Sequence, residues 1–412
     1  MHKRVFQIVL VIVLQLTLMI AGPTAPASAF TEEQKLVSET WRIVNRAYLD
    51  ETFNHQNWWF IREKAIRQPL KDREEAYEAI EKMLASLDDP FTRLLKPNQY
   101  RSLQVSTSGE LTGVGLQIAL DAQTGQLTVV APIDGSPAAE AGIQPRDRIL
   151  KIDRFSTADL TLDEAATQMR GPMGSTVTLT VQRFDSKAIE EIELVRARIA
   201  LNPVFAELRS QPSVAPIGYI RLSQFSANAT EEVTHAIETL ESQGAKAYIL
   251  DLRNNPGGLL QAGVEIARLW LDEGTIVYTV NRQGVLGSFD AADSALTRAP
   301  LVVLVNQGTA SASEILAGAL QDNLRAQLVG EKTFGKGLIQ SLFDLSDGSG
   351  LAVTVAKYET PNHHDINKLG IKPDLIVPTK TLTRSQIATE ADPQYQAAVQ
   401  LLVSQFALAD AA

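Results

Sequence analysis

The chain is 412 residues long, 45% of them hydrophobic and 21% charged, and it contains no cysteine. That excludes a disulfide scaffold, a thiol nucleophile and any cysteine-built zinc or iron–sulfur site, and five histidines leave little material for another metal cluster. Lys and Arg number 38 against 48 Asp and Glu, a net charge of −10, the wrong sign for a general nucleic-acid binder whose phosphate contacts need a basic surface.

At the amino terminus Lys3 and Arg4 precede an apolar run over 5–20, and Ala27-Ser28-Ala29 stands before Phe30. A basic start, an apolar centre and an A-x-A site predict a secretory signal peptide over 1–29, cleaved after Ala29; an uncleaved anchor is the alternative. The mature chain is therefore expected in an exported compartment, where nucleotide is not generally supplied. Residues 30–102 read as helical, with Asp88-Asp89-Pro90 as a stop. Trp58 and Trp59 read as part of a loop, as core or docking residues, with a direct substrate role as the lesser alternative.

Over 103–186 the rhythm changes to short strands and two short helices, a small mixed α+β domain. Residues 175–182 alternate cleanly, with Val177, Leu179 and Val181 on one face and threonines on the other. A proline-spaced linker (Pro203, Pro212, Pro216) leads into alternating strands and helices. Strands are predicted at 217–222, 247–252 and 301–305, and helices at 231–242, 259–271 and 311–324. Near-continuous apolar strands of this kind predict a buried, largely parallel sheet in an α/β domain over 187–378. A last segment, 379–412, carries a helix from 394 to 406, packed on the core or on the N-terminal region.

In the small domain, Leu111-Thr112-Gly113-Val114-Gly115-Leu116 sets two glycines before a strand. Glycine lets successive backbone N–H groups converge on an anion, and an exposed strand edge beyond them suits a peptide's terminal carboxylate, the peptide pairing as an added strand. Together with Gly135-Ser136-Pro137-Ala138-Ala139-Glu140-Ala141-Gly142, this segment resembles a PDZ domain.

Three segments of the α/β domain carry chemistry. They are Asp251-Leu252-Arg253-Asn254-Asn255-Pro256-Gly257-Gly258, Gly308-Thr309-Ala310-Ser311-Ala312-Ser313-Glu314 and Thr333-Phe334-Gly335-Lys336-Gly337-Leu338-Ile339-Gln340. A serine attacks carbonyls when one group removes its proton and another receives the oxyanion. Ser311 stands at a strand-to-helix turn, where free N–H groups and the helix dipole favour negative charge. Lys336 can be the base if burial lowers its basicity from an ordinary pKa of about 10.4, and its flanking glycines would let it pack against the serine turn. Other readings stand beside this one. Ser311 to Glu314 is also a helix capping box, Ser313 is a rival nucleophile, and His235 or His364 is a rival base. Residues 330–337 imitate a phosphate-binding loop, but Gly337 replaces the Ser or Thr that would hold magnesium.

Taken in order, signal peptide, helical region, PDZ domain, "DLRNNPGG", "GTASASEI" and "FGKGLIQ" resemble the carboxyl-terminal processing proteases. The resemblance implies an α/β, ClpP/crotonase-like core with an inserted PDZ domain, working as a Ser–Lys endopeptidase without metal, nucleotide or other cofactor. It implies Ser311 as nucleophile, Lys336 as general base, Gln340 orienting Lys336, and the N–H groups of Ala312 and Gly257 as oxyanion hole. Asp322 falls at a position of accessory or structural use. Gly113, Val114, Gly115 and Leu116 would hold the tail, and Arg170 would link tail capture to catalysis. "AYLDETFNHQNWW" is similar to the cyanobacterial and chloroplast branch, which implies trimming of the photosystem II reaction-centre precursor in the thylakoid lumen, close to the membrane holding it; bacterial relatives act on other exported proteins in the periplasm. An inert PDZ adaptor and a crotonase-type acyl-CoA enzyme are the competing classes.

Overall fold

The computed structural model describes residues 30–410 except 122–123, 134, 159, 212–213 and 294, so the predicted signal peptide lies outside the described residues. Among these, no helix is long and apolar enough to cross a membrane. The chain divides into two compact units. One ends at Lys96 and also takes in Leu342–Val353; the other holds Pro97–Ser341 and everything from Thr354 onward.

The first unit packs α1 (Glu32–Ala47), α2 (Trp58–Ile66) and α3 (Arg73–Ala85) with β1 (Arg93–Leu95). Thr31 and Gln34 exchange hydrogen bonds in a capping box that starts α1, whose buried face carries Leu36, Val37 and Val44. The tryptophan pair departs from the expected loop, because the Asn57 side chain accepts Phe60 N–H at 3.0 Å and starts α2 at Trp58. Trp58 is 4% exposed and stacks on Phe53 with ring centroids 5.4 Å apart, whereas Trp59 is 58% exposed. β1 pairs antiparallel with residues 350–352.

In the second unit, α4 (Pro97–Ser108) and β2 (Glu110–Gly113) lead into the small domain. It comprises β3 (Leu116–Leu120), β4 (Leu127–Pro132), α5 (Pro137–Glu140), β5 (Arg148–Ile152), β6 (Phe155–Ser156), α6 (Leu162–Met169), β7 (Thr176–Gln182) and β8 (Ile189–Val195). The sheet runs β3-β4-β5-β7-β8 with β6 on β5, over a core of its own that includes Val129, Ile149, Val177, Leu179 and Val181. The predicted boundary at 186 is one strand short: β8 pairs along β7 and Leu194 enters this core. Its glutamates and largely exposed pattern hide it in the sequence. β9 (Ala197–Ala200) then pairs antiparallel with β2. Entry and exit therefore lie side by side, the condition for inserting one domain into another.

The α/β domain opens on β10 (Val204–Gln211) and β11 (Val214–Leu222), an antiparallel hairpin where a linker was expected. Pro203 precedes β10, and Pro216 sits close to a register slip beside an edge strand, two places where a missing N–H is tolerated. There follow α7 (Ala229–Ser242), β12 (Ala247–Asp251), α8 (Leu260–Arg268), β13 (Thr275–Asn281), β14 (Gly284–Asp290), β15 (Leu301–Val305), α9 (Ala312–Asp322), β16 (Gln327–Gly330), β17 (Leu338–Asp344), β18 (Gly350–Glu359), β19 (Leu375–Ile376) and α10 (Pro393–Asp410). The main sheet runs β10-β11-β12-β15-β16-β19 and is parallel from β11 on. Strand alternation sends Ile220, Leu250 and Val303 into the cluster with α7, α8 and α9. It sends Tyr219, Ile249, Val302 and Leu304 onto Tyr395, Ala398 and Leu402 of α10. The C-terminal helix thus covers the second face of the core. The loops leaving the carboxyl ends of β12 and β15, where open parallel sheets place their sites, are the first two glycine-bearing motifs.

Candidate active site

Hydrogen bonds stitch those two loops together. Asn306 Oδ1 accepts the N–H groups of Asn254 (2.9 Å) and Gly308 (3.0 Å), and its amide donates to Asn254 Oδ1 at 3.0 Å. Thr309 Oγ1 donates to the Leu252 carbonyl at 2.9 Å, and Ala310 N–H to the Asn255 carbonyl at 3.0 Å. Gly257, with φ of 96°, closes the approach: a Cβ there would stand 2.7 Å from the Ala310 carbonyl oxygen and 2.8 Å from Ser311 Cβ. No other residue fits.

Ser311 itself has φ 59° and ψ −118°, a backbone conformation that costs a non-glycine residue about 1–3 kcal/mol. Ser311 and Glu314 stand in the arrangement of the expected capping box. Glu314 Oε2 accepts Ser311 N–H at 2.9 Å, and Glu314 N–H donates to the Ser311 carbonyl at 2.8 Å. The strain holds Ser311 on the turn that opens α9, where the N–H of Ala312, first residue of the helix, has no intrahelical acceptor.

Glu314 is wholly buried and its carboxylate is the hub of the site. Oε1 accepts Thr333 Oγ1–H at 2.5 Å and Gly335 N–H at 2.7 Å; Oε2 accepts Lys336 N–H at 2.8 Å in addition to Ser311 N–H. Four donors fill the roughly four lone-pair positions of a carboxylate. The backbones of Ser311 and Lys336 are thus within 2.9 Å of one oxygen. On the carbonyl side, the Tyr358 hydroxyl reaches the Ser311 oxygen at 3.1 Å and also the Lys336 oxygen. The glycines flanking Lys336 press against the backbone of 367–370. Lys336 is tied to the Ser311 turn by Glu314, whose place in "SASE" looked like capping alone, and by Tyr358, which nothing in the sequence singles out.

The remaining candidates separate. Ser313 is buried and donates to the Asn255 carbonyl at 3.0 Å, a structural bond. His235 is exposed on α7, and His364 lies exposed in the turn after β18 with its backbone bonded to Thr360. The Gly257 N–H, expected in the oxyanion hole, donates to Asn255 Oδ1 at 2.9 Å inside its own loop; the family resemblance implied its proximity to the serine but not that acceptor. Gln340 on β17 donates to Thr354 Oγ1 at 3.5 Å. Asp322 sits at the far end of α9, about 16 Å along the helix from Ser311, and accepts Asn362 N–H at 2.9 Å. Among the described residues no group of three acidic or histidine side chains could hold a metal ion.

The "DLR" of the first motif is structural. Arg253, 8% exposed, bonds Asp251 Oδ2 at 2.7 Å and Asp392 Oδ2 at 2.8 Å, and Tyr219 donates to Asp251 at 2.6 Å. Burial works against the guanidinium's charge, but the two aspartates outweigh it and hold Arg253 above its ordinary pKa. Burial likewise disfavours ionised Asp392, yet Arg253 and the N–H groups of Ala388 and Tyr395 hold it below the usual value.

In the small domain β3 is an edge strand. Gly115, with φ of 78°, turns its carbonyl to Ile133 N–H (2.9 Å) and the Ser136 hydroxyl (3.2 Å), and Val114 is buried in the core with its carbonyl on Ala138 N–H. Leu116 begins the open edge. Arg170 caps α6 and packs beside Gly113.

A parallel α/β core with a strained serine at a helix start, a lysine tied to it, and an inserted small domain with an open strand edge define a serine peptidase that carries a peptide-binding module. Peptidase family S41 matches residues 216–377 and the PDZ domain matches 128–183. The carboxyl-terminal-processing protease of Synechocystis sp. is 63% identical over 388 residues, 94% of this chain and 91% of that one. The chloroplastic carboxyl-terminal-processing peptidase 2 of Arabidopsis thaliana is 48% identical over 90% of this chain and 74% of that one. Among solved structures, a photosystem II D1 C-terminal processing protease is similar with a TM-score of 0.57 at 40% identity, over 89% of this chain and 100% of that one. The chain belongs to peptidase family S41 and is a serine-type carboxyl-terminal-processing protease. That does not favour the adaptor and acyl-CoA readings.

Proposed function

We propose that Ser311 is the nucleophile and Lys336 the general base of an endopeptidase that captures the C-terminal tail of an exported protein and cuts near that end. Ser311 attacks the scissile carbonyl, Lys336 takes its proton and returns it to the leaving amine, and water activated by Lys336 then releases the acyl-enzyme. The Ala312 N–H, at the start of α9, receives the oxyanion. Gln340, half-buried four residues beyond Lys336, orients the amine, and Asp322 serves the fold. The observation that carries this reading is the single buried carboxylate oxygen of Glu314 holding the backbone N–H groups of both Ser311 and Lys336.

The tail adds to the edge of β3 with its carboxylate at Gly113–Leu116, and Arg170, beside Gly113, relays its arrival. The substrate is the C-terminal extension of the photosystem II D1 precursor, which the name of one similar structure supports. The working compartment is the thylakoid lumen or periplasm, after cleavage at Ala29, in keeping with cyanobacterial and chloroplastic relatives.

Incubating purified chain with a tail-bearing precursor and weighing both products tests this. Two fragments that together equal the substrate plus one water are expected, the smaller carrying the original C-terminus. Ser311→Ala and Lys336→Arg should each yield none while still binding the tail, the latter because a guanidinium cannot accept the proton. Cleavage that survives in Ser311→Ala would remove the assignment.

A further inference from the structure

We propose that Tyr358 is a positioning residue for the Ser311–Lys336 pair, its buried hydroxyl locking the carbonyls of the two residues in the register their side chains need. The inference rests on the Ser–Lys reading above.

Tyr358 lies on β18, 1% exposed, with its ring in the main core. It grips the lysine loop at two successive carbonyls: its own N–H donates to the Gly337 oxygen at 3.0 Å, and its hydroxyl reaches the Lys336 oxygen. The same hydroxyl is 3.1 Å from the Ser311 oxygen. That carbonyl already accepts the N–H groups of Glu314 at 2.8 Å and Ile315 at 3.0 Å, so it does not need the phenol for satisfaction. A phenol has one proton to donate, and sharing it between these two carbonyls couples the loops rather than completing a helix cap.

With Glu314 the arrangement is complete on both sides. The carboxylate holds the N–H of each residue and the phenol holds the C=O of each, so neither backbone can turn about its remaining bond. Ser311 needs that restraint most, because its φ of 59° is a conformation the chain would otherwise leave. Burial first, and the nearby Glu314 charge second, push the Tyr358 phenol well above its ordinary pKa and keep it a donor. Displacement of a reacting group by about 1 Å can cost a hundredfold in rate.

The test compares Tyr358→Phe, Ser311→Ala and Tyr248→Phe, the last removing a different buried phenol whose hydroxyl is 3.5 Å from the Ile237 carbonyl. For Tyr358→Phe, kcat should fall about 10- to 100-fold while KM stays within about twofold. An acylating probe should still label Ser311 to one equivalent, at a rate reduced in proportion to kcat. Tyr248→Phe should keep its kcat. Unchanged kcat in Tyr358→Phe would overturn the inference. So would a loss of labelling endpoint or of cooperative melting that accounts for the lost rate, since the hydroxyl would then serve the fold alone. Turnover persisting in Ser311→Ala would instead bring down the Ser–Lys reading, and the two failures are told apart by which variant stays active.

Discussion

At Arg253 one buried guanidinium is shared between two aspartates, whereas at Glu314 a buried carboxylate is met by three backbone N–H groups and a hydroxyl. Both centres sit in loops or helix starts at the carboxyl ends of the parallel strands. The ion cluster joins segments 139 residues apart in sequence and needs opposite charges to do so. The Glu314 hub positions backbone atoms, and its value lies in where the donors stand. One centre should therefore govern stability and the other geometry.

The sharpest way to break that contrast is Glu314→Gln. A carboxamide turns an NH₂ group toward donors, so at least one N–H of the hub loses its acceptor at about 1–3 kcal/mol. Turnover should fall at least about a hundredfold through misplacement of Ser311 and Lys336, read as kcat per titrated active site. Asp392→Asn should do the reverse. It strips a buried guanidinium of a partner, a change worth about 3–5 kcal/mol in unfolding measurements, with kcat per folded molecule near wild type. If Asp392→Asn lowered kcat and Glu314→Gln lowered only stability, the roles assigned to the two centres would be exchanged.

The pH response sharpens the comparison further. Asp392 is held below its ordinary pKa of about 3.9, so its stabilisation is complete above that value and drains away as pH falls through the lower folded value. In Asp392→Asn the acid limb of the melting curve should flatten; an unaltered limb would place the acid sensitivity elsewhere. The smallest effect is expected from Ser313→Ala, which removes one buried hydroxyl from the Asn255 carbonyl. About 1 kcal/mol of stability should be lost with cleavage retained, and loss of cleavage would reopen the choice of nucleophile.

Much of this was legible before any coordinates. The apolar runs of β12 and β15 announced buried parallel strands, the clean alternation over 175–182 announced a strand of the small domain, and three glycine-bearing motifs announced the chemistry. What escaped was whatever depends on a partner distant in the chain. Asn57 as a helix cap turned the expected loop at Trp58 and Trp59 into a helix, with Trp58 in the core as expected and Trp59 exposed. The hairpin of β10 and β11 ran through prolines that read as a linker. β8 joined the small domain because β7 offered it an edge.

Local composition, period and motif were enough to predict an α/β domain, a small mixed domain before it, and Ser311 and Lys336 as candidates, because helices, strands and tight turns are set by nearest neighbours along the chain. Tertiary structure alone decided that the Gly257 N–H meets Asn255 Oδ1, that Ser313 is buried against the Asn255 carbonyl while His235 and His364 are exposed, and that Glu314 and Tyr358 bond the backbones of both Ser311 and Lys336. A hydrogen bond between residues twenty or more positions apart leaves no period in a sequence; only folding brings its two ends within 3 Å.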